Sequence, residues 1–202
     1  MTGVRFRETM TGRVALHASD PVAGFASVSA VAASMHASVE INDVAAFVSS
    51  EVPTARLRAE LVIPVLGGRF LSEDGTFELF KPGKGPDGRP ARLMTYTATL
   101  VNDGRVVQMS ATKYLQPGWR LWGDSTTAHI TLTEVLADQD PVRPWRAAGF
   151  IKISPSRFLV QLTTMRGFGA GREGWERRRA VYSYAVFFVK GLAKTYLCRT
   201  GR

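Results

Sequence analysis

Three ionisable residues stand where strand alternation calls for apolar side chains. Over residues 4–16, Val4, Phe6, Met10, Val14 and Leu16 share one face, and Arg5, Arg7, Thr9, Thr11 and Arg13 share the other. That period of two marks a strand with one wet side. Glu8 has the parity of Phe6 and Met10. Over residues 105–115, Lys113 shares the face of Val107, Met109, Ala111 and Leu115. Over residues 121–135, Ala128, Ile130 and Leu132 share a face that Thr126, Asp124 and Trp122 continue. Two acids and one base from three expected strands therefore point into one apolar space.

Burying an unpaired charge costs several kcal/mol, so each of the three needs a reason to be there. One reason is structural: Lys113 pairs with Glu8 or Asp124 and fixes the fold, or Asp124 escapes to a strand end. The other is functional: a few convergent polar groups in an apolar wall are what a small-molecule pocket requires. In such a wall a carboxylate can act as general acid or base, and an ammonium group can stabilise developing negative charge. The candidate catalytic set is Glu8, Lys113 and Asp124. Met94, Tyr96, Met109, Trp122 and Thr126 are the candidate ligand-contacting wall.

The elements that must carry these residues read mainly as β. Strands are expected at residues 4–16, 35–41, 56–63, 93–101, 105–115, 121–135 and 147–153, with two short strands joined by a Glu73-Asp74-Gly75 turn at 69–80. Asn102-Asp103-Gly104 between two β-branched runs is a hairpin signal. Residues 18–34 read as loop or short helix, 44–50 as a helix capped by Asn42-Asp43, and 81–90 as loop. Helices are expected from Ser154-Pro155 to about residue 165 and over 175–197, with a glycine-rich break between them. About eight strands at hairpin spacing with late helices predict a mainly β fold. The expected architecture is an antiparallel β-barrel or sandwich, lipocalin-like or allene-oxide-cyclase-like, in one domain over 1–202 with a helical extension at about 154–197.

Several chemistries lack support. The three histidines, His17, His36 and His129, are expected on separate strands, and the single cysteine, Cys198, is distant. No zinc spacing exists, and neither a metal nor a cofactor is expected. Residues 169–174 fit G-x-G-x-x-G but follow a helix rather than a strand, so they read as a break between helices. The single cysteine precludes an internal disulfide framework. Neither a targeting segment nor a membrane span is expected, and the reading is of a cytoplasmic protein.

The net charge is +9. Its densest cluster, Arg172, Arg177, Arg178 and Arg179, comes with no DNA or RNA recognition motif, so nucleic acid is not an expected partner. The apolar run 180–189 after those arginines is compatible with a membrane surface. A helix packed on the sheet, or docked to another subunit in an oligomer, is the preferred reading.

An ordered series of short motifs resembles a known family. It comprises Phe6-x-Glu8-x-Met10-x-Gly12, Pro64, Asp74-Gly75-x-Phe77-x-Leu79-Phe80, Met94-x-Tyr96, Lys113, Trp122-Gly123-Asp124-Ser125-Thr126-Thr127, Gly149-x-Ile151-x-Ile153, Phe158 and Gln161-Leu162-Thr163-Thr164-Met165. The series is similar to a β-rich accessory module of bacterial multidomain proteins. That module stands beside GMC-type flavin oxidoreductase domains related to cholesterol oxidases, and beside α/β-hydrolase domains. The resemblance spans about residues 4–195 and departs at Ala128, where the family has leucine. It implies apolar, sterol- or lipid-like substrates and an oxidoreductase or hydrolase partner, and it carries over no catalytic residue.

The leading expectation is thus a module that binds a hydrophobic small molecule such as a lipid, sterol or polyketide. Two readings stand beside it. One is a cofactor-independent isomerase or cyclase with Glu8 as acid or base. The other is a structural or partner-docking domain with a filled core.

Overall fold

The computed structural model describes residues 1–118, 121–135, 144–169 and 174–197, with the side chains of Leu121, Trp122, Phe158, Leu159, Leu162 and Leu197 left aside. The elements in chain order are β1 (Thr2–Leu16), α1 (Pro21–Ala26), β2 (Val31–Ile41), α2 (Val44–Ser49), β3 (Thr54–Ile63), a 3-10 turn (Pro64–Leu66) and β4 (Gly68–Lys84). They continue with β5 (Pro90–Asn102), β6 (Arg105–Leu115), α3 (Leu121–Thr126), β7 (Thr127–Val135), β8 (Arg146–Lys152), α4 (Pro155–Thr164), β9 (Arg166–Gly169) and α5 (Gly174–Leu197).

Strands β1 to β8 pair antiparallel in chain order, and β8 returns to β1. The result is a closed eight-stranded up-and-down barrel, the expected mainly β fold with a C-terminal helix. Closure leaves no long free edge, and alternate residues on every strand point inward. The β5–β6 hairpin closes on Asp103 and Gly104, both with positive φ (46° and 81°), as a two-residue turn of this hand demands. Asp43 caps α2 by accepting from Ala45 N–H (2.9 Å) and Ala46 N–H (3.2 Å).

The end of the barrel that carries Met35, Leu61, Phe70, Leu100 and Val107 is filled by their side chains. The other end is covered by α5, whose Ala180, Tyr184, Phe188 and Leu192 recur every four residues along one face.

Several expectations are corrected. Residues 69–80 form part of one long strand rather than two strands around a turn. Two irregularities in β4, between Ser72 and Gly75 and again between Glu78 and Lys81, absorb the extra residues that looked like a turn. At the second, Phe80 takes φ 56°, and the consecutive Leu79 and Phe80 are both buried. The expected loop at 81–90 shrinks to residues 85–89.

Residues 121–126 form helix α3, not the start of a strand, because the β-branched run begins only at Thr126 and Gly123-Asp124-Ser125 has no strand preference. The glycine-rich break contains the short strand β9, residues 170–173 of the 169–174 motif lie outside the described residues, as do Trp119 and Cys198, and Gly174 opens α5. His17 lies just past β1 at φ 64° instead of on a strand. Among the described residues, no helix is long and apolar enough to cross a membrane.

Candidate functional site

The site begins with a gap in the barrel wall. One edge of β1 pairs with β8 through residues 11–16 and with β9 through residues 2–5. Between them helix α4 takes the place of a strand. Arg7 N–H donates to Thr164 Oγ1 (2.9 Å), and the Thr164 hydroxyl donates to the Gln161 carbonyl of its own helix (2.7 Å) with the Arg7 carbonyl a more distant acceptor (3.3 Å). Ser154 caps α4 by accepting from Arg157 N–H (3.3 Å), and Pro155 opens it. This placement aims Gln161 past β1 into the barrel.

Four polar side chains meet there. Glu8 is 6% exposed and Lys113 1%, as their inward parity predicts. Lys113 Nζ donates to Glu8 Oε1 (3.1 Å), Gln161 Nε2 donates to the same oxygen (2.9 Å), and the Tyr96 hydroxyl donates to Glu8 Oε2 (2.5 Å). The ammonium group also stands 5.3 Å from the centre of the Tyr96 ring. Both carboxylate oxygens are therefore engaged, as a buried charge requires. Among the described residues, Glu8 is the only hydrogen-bond partner of Lys113. Gln161 turns its Nε2 to the carboxylate, and its buried Oε1 has no partner among the described residues.

Beside this cluster lies a largely enclosed cavity of about 370 Å³. Its polar wall is Glu8, Tyr96, Lys113, Gln161, Tyr184 and Ser125. Phe6, Phe77, Met94 and Ile153 from the barrel, and Phe188 and Leu192 from α5, supply most of the apolar wall. Phe6 stacks on Tyr184 with ring centres 5.5 Å apart, and Phe77 lies 4.9 Å from Tyr96. Val189, 63% exposed yet part of the lining, marks the mouth.

Burial pushes the Tyr96 phenol well above its ordinary value, and the negative charge of Glu8 adds to the effect. Tyr184 is raised for the same two reasons, burial first. Both phenols are thus neutral hydrogen-bond donors over the whole physiological pH range.

Of the expected site residues, Glu8, Lys113, Met94 and Tyr96 converge here. Tyr96 does more than supply wall, since its hydroxyl holds Glu8. The others do not join. Asp124 rides on α3, half-buried, accepts from the Tyr196 hydroxyl (3.4 Å) and borders an outer groove with Tyr114 and His129. The strand parity that aimed it inward fails because the segment is helical. Thr126 is buried at the end of the same helix, bonded to the Gly123 carbonyl (3.5 Å), and is not part of the lining. Met109 packs in the filled core next to Ala98 and Leu132. The Trp122 side chain lies outside the described residues. His129 faces outward between the rings of Tyr114 and Phe150, and burial lowers it below the usual histidine value.

Sequence reasoning missed Gln161 and Tyr184. A signal existed for each. Gln161 falls on the helical stripe of Phe158, Leu162 and Met165, at i+3, i+4 and i+7 spacing, where a polar residue is out of place. Tyr184 is one of the four residues of the repeating α5 face.

The fold and site define a closed up-and-down β-barrel with a helix across one mouth and a buried carboxylate–ammonium pair in the wall of an internal cavity. Comparison with known proteins gave no matching family, no matching curated protein and no matching solved structure.

Proposed function

We propose that the protein binds a hydrophobic small molecule inside the barrel, its apolar body against Phe6, Met94, Phe188 and Leu192 and its polar end against Gln161, Lys113 and Tyr184. The observation that carries this reading is the cavity of about 370 Å³ with a buried ion pair and two phenols in an otherwise apolar wall, within the size range of small-molecule sites. A docking domain has no use for such a space, because filling it would stabilise the fold. The resemblance to an accessory module beside oxidoreductase and hydrolase domains points the same way, toward apolar substrates handed to a partner enzyme.

The test is extraction of the purified protein and mass spectrometry of what comes off, with Ala185→Trp as the blocked control, because Ala185 lines the cavity from α5. A stoichiometric apolar compound is expected from the wild type and none from Ala185→Trp. Wild-type protein that carries no such compound and binds no neutral apolar dye defeats the proposal.

A second reading, a cofactor-independent isomerase or cyclase, has one specific observation in its favour. A carboxylate with a phenol 2.5 Å away forms an acid–base couple at the cavity wall. Turnover lost in Glu8→Gln with ligand affinity kept separates enzyme from binder.

A further inference from the structure

The charge balance of the cavity wall restricts the ligand. We infer that the cavity selects a neutral molecule with an uncharged oxygen at one end of an apolar body and rejects both fatty carboxylates and alkylammonium ions; this rests on the binding reading above.

Among the described residues the wall contains one carboxylate, Glu8, and one ammonium group, Lys113, already joined at 3.1 Å. Tyr96 and Tyr184 stay neutral. The described wall therefore has no net charge to offer. A ligand carboxylate would put two negative charges around one ammonium group, and a ligand ammonium would put two positive charges around one carboxylate. Each arrangement strands a charge in a nearly dry space.

The unused hydrogen-bonding capacity lies in donors. Lys113 has three N–H groups and a single partner among the described residues, and the Tyr184 hydroxyl has none among them. An uncharged oxygen at the ligand's polar end accepts from either without adding a charge to the wall.

The experiment is calorimetric titration at neutral pH with three probes of one chain length: 1-decanol, decanoate and decylammonium. The expected result is binding of 1-decanol, with decanoate and decylammonium each weaker by about 100-fold or more. In Glu8→Gln, Lys113 needs a counter-ion, and the preference should move toward decanoate by about tenfold or more. Decanoate binding as tightly as 1-decanol to the wild type, or a preference that Glu8→Gln leaves unmoved, overturns this inference and leaves the binding reading intact. Failure of all three probes and of a neutral apolar dye overturns both. If Glu8→Gln does not fold, the wild-type ranking of the three probes decides by itself.

Discussion

Lys113 Nζ sits 3.1 Å from Glu8 Oε1 although the two residues are 105 positions apart in the chain. Strands β1 and β6 reach each other only across the barrel interior, so this pair is a direct reading of closure. Removing one member leaves the other charged and buried. Lys113→Met is therefore expected to lower the unfolding free energy by about 3–5 kcal/mol, measured by urea denaturation. The double variant Glu8→Gln/Lys113→Met, which buries no charge, should recover more than half of that loss. A Lys113→Met protein as stable as the wild type would show that the pair is not buried.

Gln161 gains at one end what it loses at the other. Its Nε2 supplies one of three hydrogen bonds to Glu8, while its buried Oε1 has no partner among the described residues. Gln161→Met loses the first and removes the unpaired atom, so the net stability change should stay within about 1 kcal/mol. Urea denaturation reads it, and a loss of about 3 kcal/mol or more would show that the bond to Glu8 outweighs the orphaned oxygen.

The raised phenols make stability sensitive to alkali. Unfolded tyrosines lose their protons near pH 10, whereas folded Tyr96 and Tyr184 keep theirs to higher pH. The folded state then holds protons that the unfolded chain gives up. This contribution is fully present below about pH 10 and is lost as pH rises beyond it. Melting temperature plotted against pH should bend downward in that range. Tyr184→Phe, which removes a hydroxyl with no partner among the described residues, should flatten the bend and leave neutral stability nearly unchanged. A bend as steep as that of the wild type would mean that Tyr184 is not the group responsible.

Gly191 of helix α5 lies against the barrel, and a Cβ there would run into the ring of Phe80. Phe80 is itself fixed by the positive φ of its bulge and by contacts with Phe187 and Phe188 (ring centres 5.9 Å apart in each case). Gly191→Ala should cost about 1–3 kcal/mol through overpacking, despite the better helix propensity of alanine. Added room at Phe80 should reverse that cost, so Phe80→Leu/Gly191→Ala is expected to be less destabilised than the sum of its parts, as read by denaturant titration.

Much of the barrel was legible because a half-buried strand repeats every two residues. Alternation placed Glu8 among Phe6 and Met10, and Lys113 among Met109 and Leu115, and closure brought the two together. The reading failed where period two stopped being the governing rule. Bulges in β4 shifted the count by a residue and made one strand look like two. Ahead of β7 the same parity was extended through Gly123-Asp124-Ser125, a stretch that folds as helix, and Asp124 was wrongly aimed inward.

The sequence alone determined a β-rich domain and an acid and a base on inward faces, since both follow from local alternation and turn chemistry. Only the tertiary structure decided that the two charges meet, that α4 replaces a strand beside Arg7 and delivers Gln161, and that α5 roofs the remaining space. Those contacts join residues more than 100 positions apart in the chain. They depend on how the wall closes and where a helix interrupts it, a global balance of packing that no local pattern encodes.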